Sequence, residues 1–287
     1  MKRQNWLKVK QVSIVHELNA EGRSCKEILN EVNNFFVSQA VSDVDYAEVR
    51  NCNIPNLGSS LYLAATDPEE VFKEIRALRN TTTVGVDNVP VKLIKCAAEE
   101  ISPILAHIIN IIFSSGMFPT NFKKAQIRAI YKKGDKNLIG NYRPISLLNN
   151  FSKLVERLIH RRVVNFFETS KILSEYQNGF RKGKSTTRAI YMVVTKVLDN
   201  LNNGKYTGLL CVDLSKAFDI VDHDLLLEKL YRYGIRGVPL HLFKSYLEGR
   251  TQCVVERDPA SGEIMSSSEV TVFRGVPQGS VLRLSCI

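Results

Sequence analysis

The sequence predicts an α+β fold, on two observations. Segments with helical periodicity precede the strand candidates. The regular strand–helix–strand alternation of a doubly wound parallel sheet is missing. A continuous apolar run, Gly208 to Val212 (GLLCV), reads as a strand buried on both faces that delivers Asp213 to the sheet's edge. With 287 residues, 44% hydrophobic and 24% charged, the chain can bury a substantial core in one or two lobes. The same composition excludes whole-chain disorder and collagen-like repeats.

The elements follow from local chemistry. Residues 1–66 give weak signals: His16 and Glu17 fall on an amphipathic stretch as surface residues, and Asn51 to Ser60 reads as a linker. Asp67 as cap, Pro68 at the first helical position and Glu70 completing a capping-box pattern start a helix that runs to about Asn80. Gly85 and Pro90 break it, and a second helical region spans Val91 to Ser115, stopped by Gly116. Gln126 to Tyr131 is a short strand, followed by the basic loop KKGDKNLIGNYRP. Phe151 to Glu168 is helical, with Leu154, Val155, Leu158, Ile159 and Val163 on one side. A further helix covers Ser185 to Leu201. After GLLCV come helices at Asp224–Tyr233 and Pro239–Leu247, stopped by Gly234 and Gly249. Strands at Thr251–Glu256 and Glu269–Phe273 are joined by a Ser/Gly-rich turn. The segments group as 1–66, 67–200 and 201–287.

The formal charge of +10 is unevenly placed. Residues 101–200 hold 17 basic and 5 acidic side chains, while the flanking thirds are near neutral. Concentrated positive charge suits a polyanion-binding surface, and equally a solvated basic face. The six cysteines (Cys25, Cys52, Cys96, Cys211, Cys253 and Cys286) form no CxxC pair and no zinc spacing. They read as reduced thiols without disulfide partners in an intracellular protein, nucleus and cytoplasm both fitting. MKRQNWLKVK is not followed by an apolar signal core, and Ile101 to Phe113 is too short to span a bilayer, so no membrane partner is expected.

Four motifs bear on chemistry. Asp213, at the end of a hydrophobic strand, suits a carboxylate held still for a divalent metal; the same residue suits a cap for a following helix. Arg143, beside Lys132, Lys133 and Lys136, has the planar fork of a triphosphate clamp, or is an ordinary surface charge. Gln177 to Thr187 (QNGFRKGKSTT) is not a P-loop: only Phe180, Arg181 and Lys182 separate its glycines, and no apolar strand precedes it. As a basic turn into a helix N-terminus it can still meet a nucleic-acid backbone. In Phe273 to Leu282 (FRGVPQGSVL), two glycines around Pro277 and Gln278 make a tight turn whose backbone can approach a ligand closely, or a plain surface turn.

In their order and spacing these blocks resemble the reverse transcriptases of non-long-terminal-repeat retrotransposons, particularly jockey-like LINE elements. The resemblance rests on GVDNVPVKLIK (85–95), the 118–163 block around NYRPISLL, LSEYQNGFRKGKSTTRAI (173–190), LLCVDLSKAFDIVDHDLLLEKLYRYGI (209–235) and FRGVPQGSVL (273–282). It implies a right-hand polymerase, with fingers over 67–200 and an incomplete palm over 201–287. It implies Asp213 as the first metal-binding aspartate, with the Leu214 backbone nearby, on Mg2+. It implies Arg143 and Lys132 or Lys133 on the incoming triphosphate, and Phe218 as the bulky residue under the sugar. Gln278 and Gly279 would face the nucleotide, and Gln177 and Arg181 the template. Partners would be an RNA template, a DNA primer and deoxynucleoside triphosphates.

One departure stands out. Family members continue past GSVL to a strand with an Ala-Asp-Asp hairpin; here Arg-Leu-Ser-Cys-Ile follows, and no Ala-Asp-Asp occurs in the 287 residues. The expectation is a truncated or frameshifted copy without thumb or upstream endonuclease, inactive alone because one carboxylate does not hold two ions. The alternatives are a residual nucleic-acid-binding module and a non-functional pseudogene product.

Overall fold

The computed structural model describes residues 13–18, 22–39, 56–81, 84–214, 217–257 and 261–282. Its helices are α1 (Ile14–Leu18), α2 (Cys25–Ser38), α3 (Pro68–Arg76), α4 (Val91–Cys96), α5 (Ala98–Ser115), α6 (Asn150–Thr169), α7 (Thr186–Asn202), α8 (His223–Arg232) and α9 (Val238–Leu247). Its strands are β1 (Lys124–Tyr131), β2 (Tyr142–Leu148), β3 (Arg250–Arg257), β4 (Ile264–Ser266) and β5 (Val270–Val272). Helices and one mixed sheet make the fold α+β.

Local signals place most helix ends. Asp67 accepts from the Glu70 amide at 2.8 Å, Ser185 caps α7 through Arg188, and Asp222 caps α8 through Leu225. Glu70 does not complete a capping box: its carboxylate turns to Thr66 and to Arg161 and Arg162. The 91–115 region is two helices that meet at Ala97.

β1 pairs antiparallel with β2 (Ile127 opposite Ser146) and parallel with β3 (Gln126 opposite Cys253). β4 and β5 pair antiparallel with successive stretches of β3. The sequence hid β2 in its basic loop, because Pro144 argues against a strand. β2 has no second strand neighbour among the described residues, so Pro144 removes no ladder hydrogen bond.

Two cores flank this sheet. α1 and α2 bring Ile14, Ile28, Leu29 and Val32 onto Ala125, Ile127, Leu148 and Val254. The larger core joins α3, α5, α6, α8 and α9 through residues such as Ile75, Ile109, Leu158, Leu230 and Phe243. α3 is also locked to α6 by charge. Glu74, buried, takes Arg157 Nε at 2.6 Å and a second hydrogen bond from Arg161, while Glu70 takes Arg162 at 2.9 Å. Three cations of the basic middle third thus face carboxylates of the preceding third.

The buried strand expected at Gly208–Val212 is not formed. These residues pair with no described strand, and Leu209, Leu210 and Val212 are 67%, 86% and 77% exposed. An apolar run becomes a strand only when a neighbour takes up its N–H and C=O groups, and no described strand lies beside it. α7 forms on local signals but buries no residue: Ile190, Tyr191 and Leu198 are exposed. Cys25, Cys96, Cys211 and Cys253 are free thiols; Cys52 and Cys286 lie outside the described residues. Among the described residues no helix is long and apolar enough to cross a membrane.

Candidate active site

The segment 217–223 and the turn 273–281 are built onto each other. Val276 N–H donates to the Phe218 carbonyl and Gly275 N–H to that of Val221, both at 2.8 Å. A His223 ring nitrogen lies 2.8 Å from the Gly275 carbonyl. Gln278 Nε2 reaches both carboxylate oxygens of Asp219, at 2.6 and 2.8 Å. An ionised carboxylate only accepts, so this contact fixes the carboxamide flip and turns Oε1 away from Asp219.

The two glycines serve these contacts. A Cβ at Gly275 (φ +78°) would lie 2.6 Å from the Asp219 carbonyl, and one at Gly279 (φ +145°) 2.5 Å from that of Ser146. The close backbone approach that the sequence suggested toward a ligand is made here to β2 and to the 219 segment. The Gln278 carbonyl accepts from Ser146 N–H at 3.0 Å.

The far end of the turn is held by Glu156 of α6, which is fully buried. Its Oε2 accepts from Val281 N–H at 2.7 Å and Ser280 Oγ at 2.9 Å. Its Oε1 accepts from Ser152 Oγ at 3.1 Å, while Tyr246 Oη, 3.4 Å from that oxygen, gives its one proton to Ser280 Oγ at 2.8 Å. Burial, and then the Glu156 charge, push the Tyr246 phenol well above its ordinary pKa. Burial also lowers the pKa of neighbouring Lys153, against the charges of Glu156 and Asp87.

A cleft follows from this assembly, lined by Ala125 and Ile127 of β1, Pro144 and Ser146 of β2, Asp219, Arg250 and the turn 274–278. Of the residues singled out in the sequence it gathers Gln278. Phe218 sits behind the turn, its ring edge-on to Phe180 at 6.3 Å. Arg143, on exposed β2 backbone, and Lys132 and Lys133, in the loop after β1, make no side-chain ion pair with a described residue. Gln177 and Arg181 lie in the turn before α7; Arg181 holds Glu168 at 2.6 Å and the Ser174 carbonyl at 2.6 Å.

Asp213 is exposed and makes no hydrogen bond or ion pair with another described residue; it caps no helix. No group of three or more His, Cys, Asp or Glu that could hold a metal occurs among the described residues. Asp219, the nearest carboxylate in sequence, is engaged by Gln278. Among the described residues Asp213 is thus a lone carboxylate donor that a divalent cation could take. Asp219, Glu156, Ser146 and His223 were not singled out as site residues from the sequence. For Glu156 the signal was there: a lone acid inside the apolar stripe of α6.

Comparison with known proteins agrees with the motif order. Residues 130–283 match the family model described as "Reverse transcriptase (RNA-dependent DNA polymerase)". The chain is 34% identical over 252 residues, 85% of its length, to a probable RNA-directed DNA polymerase from transposon BS of Drosophila melanogaster. It is 34% identical over 224 residues (78%) to the RNA-directed DNA polymerase from mobile element jockey, and over 217 residues (75%) to the probable polymerase from transposon X-element, both of the same fly. It covers 26%, 24% and 23% of those proteins, so it spans about a quarter of the curated relatives it matches. With the family's model matched over more than half of its length, the chain belongs to the reverse transcriptase family.

Proposed function

We propose that this chain is the fingers and the beginning of the palm of an RNA-directed DNA polymerase of non-LTR retrotransposon type. Residues 67–200 would form the fingers, 201–287 the palm's first part, and 1–66 an extension. The observation that carries the reading is the clamp of the 273–281 turn onto the 217–223 segment through Gln278 and Asp219. It joins two blocks 59 residues apart, as a shared nucleotide site requires.

Arg143, with Lys132 or Lys133, would hold the incoming deoxynucleoside triphosphate, the guanidinium on phosphate oxygens. Phe218 would lie under the sugar, and Gln278 and Gly279 beside the base pair being formed. Gln177 and Arg181 would meet the RNA template. Asp213 and the Leu214 backbone would hold one Mg2+, whose chemistry when bound is to stabilise charge on the reacting phosphate. Without an Ala-Asp-Asp pair in the 287 residues, this chain alone is expected not to extend a primer.

Two measurements test this. Ultraviolet labelling with an azido-dATP in magnesium should mark the wild-type chain and fall about tenfold in Arg143→Ala, the loss of one charge-assisted phosphate contact; equal labelling overturns the Arg143 assignment. Robust magnesium-dependent primer extension by this chain, abolished in Asp213→Ala, would refute its incompleteness. A second reading, nucleic-acid binding without catalysis, is favoured by the surplus of twelve positive charges in 101–200. With about four to six phosphates neutralised, its log–log salt slope on duplex would be about −4 to −5.

A further inference from the structure

Apolar surface left outside both cores collects in one stretch of chain. α7 carries Ile190, Val194, Leu198 and Leu201 at helical spacing, all exposed. Tyr206, Leu209, Leu210, Val212 and Leu214 continue the run, each at least 67% exposed. The two parts are tied together: the Asn200 side chain donates to Thr207 Oγ1 at 3.1 Å, and the Lys205 amide to the Asn200 carbonyl at 2.8 Å. Single apolar residues on a surface are ordinary, whereas a contiguous patch marks an interaction site. Residues 190–214 have the extent of a standard interface, which takes about 20–30 residues from each side.

The backbone of this stretch is as open as its side chains. Among the described residues none pairs with the main chain of 206–213, in a ladder or otherwise. A row of free N–H and C=O groups beside apolar side chains is the template an edge strand offers to another chain. Proteins guard such edges with proline or an inward charge. From Tyr206 to Val212 (YTGLLCV) there is neither.

The charges at its two ends say what fits. Lys205 and Asp213 bracket these seven uncharged residues, and neither has a side-chain partner among the described residues. A two-fold dimer presents the same patch on both copies, so a strand shared across the axis pairs antiparallel. The register centred on Leu209 sets Lys205 opposite the partner's Asp213 at both ends. It also sets Tyr206 against Val212, Thr207 against Cys211 and Gly208 against Leu210. Alternation then gathers Tyr206, Gly208, Leu210 and Val212 on one wholly apolar face. Every other register takes Lys205 off Asp213. The segment is thus complementary in charge to a second copy of itself.

We propose that residues 205–213 form a two-fold symmetric antiparallel ladder with a second copy of this chain, centred on Leu209. Burial of Tyr206, Leu210 and Val212 supplies the attraction, and the stripe on α7 adds apolar area at the end tied to Thr207. The two Lys205–Asp213 pairs set the register rather than the affinity, because exposed ion pairs contribute little. This contact goes beyond the polymerase reading and uses neither Arg143 nor Gln278.

The experiment is sedimentation velocity on the full chain across a dilution series, in EDTA so that no cation competes for Asp213. The wild type should pass from 32.4 kDa to twice that mass as its concentration rises. Leu210→Lys puts a charge on the apolar face and should weaken the dimer about a hundredfold. Its thermal melt as a monomer should stay that of the wild-type monomer, since Leu210 is 86% exposed. Lys205→Glu sets Glu against Asp at both ends and should weaken the dimer about tenfold. Adding Asp213→Lys should restore it, which loss of fold would not allow. The register is read by mild oxidation and peptide mapping in a Cys211→Ser background. Leu209→Cys should link two copies across the axis, whereas Val212→Cys should not, because its two copies stand about 20 Å apart along the ladder. A monomer at every concentration, assemblies larger than a dimer, an undisturbed dimer in Leu210→Lys, no rescue by the charge swap, or a link at 212 instead of 209 would each overturn the ladder.

Discussion

Replacing Glu156 with alanine removes a carboxylate that is fully buried and accepts from Val281 N–H and from the Ser280 and Ser152 hydroxyls. The two short contacts, to Val281 N–H and Ser280 Oγ, are hydrogen bonds to a charged group, about 1.5–3 kcal/mol each. Against their loss stands the desolvation of the carboxylate, which the variant no longer bears. The orphaned Val281 amide and a cavity on α6 add to the damage. The net expectation is a destabilisation of about 3 kcal/mol, or roughly 6–12 °C in Tm for a chain of this size. Glutamine should behave differently. Its Oε1 can take the place of Glu156 Oε2 on Val281 and Ser280, and its Nε2 can donate to the Ser152 and Tyr246 hydroxyls, which rotate to accept. Glu156→Gln should therefore cost less than about 1.5 kcal/mol. Urea unfolding gives both values, and amide exchange at Val281 reports whether the turn itself is released. An alanine variant within about 0.5 kcal/mol of wild type, or a glutamine variant as damaged as alanine, would show that the network does not hold the turn.

Gly279→Ala is expected to lose about 2–4 kcal/mol, because its Cβ would press within 2.5 Å of the Ser146 carbonyl on backbone at φ +145°; urea midpoints check it, and an unchanged midpoint would mean the turn can move off β2. For Glu70, burial pushes the carboxyl up, but hydrogen bonds from Arg162 and Thr66 and the charges of Arg162 and Arg161 together hold it below its ordinary 4.5. A carboxylate lowered in the folded state stabilises above its unfolded pKa, and that stability is lost as pH falls through the folded one. Glu70→Gln should therefore lose less stability than wild type between about pH 7 and pH 3.5; equal losses would remove Glu70 from the acid response. Asp213→Ala should leave stability within about 0.5 kcal/mol, since its side chain is exposed and has no partner among the described residues, while manganese bound to the chain, read by electron paramagnetic resonance, falls. A clear drop in Tm would give that carboxylate a structural role instead.

Much of the molecule was legible residue by residue. Asp67 announces a helix start because a cap is made to an amide three residues on, and the structure adds the same kind of cap at Ser185 and Asp222. The apolar stripe of α6 named core residues Leu154, Leu158 and Ile159. The glycines at 275 and 279 signalled a close approach, although not to what. β2 was not legible, because Pro144 forbids an inner strand and only the position beside β1 makes it harmless. The α1–α2 layer was equally hidden: its periodicity is weak, and its apolar face has meaning only against β1 and β3.

The sequence by itself determined where α3 starts and α5 stops, the order of motifs that places the chain among reverse transcriptases, and the clustering of positive charge in the middle third. The tertiary structure decided which of those charges remain available: Arg157, Arg161, Arg162 and Arg181 meet carboxylates, and Lys182 does not. It decided that Gly208–Val212 runs exposed and pairs with no described strand, and that a single acid in an apolar stripe anchors a turn 125 residues away. The reason is range. Caps and helical periodicity act within a few residues, whereas a strand, an ion pair or a buried carboxylate is defined by a partner that only folding brings near.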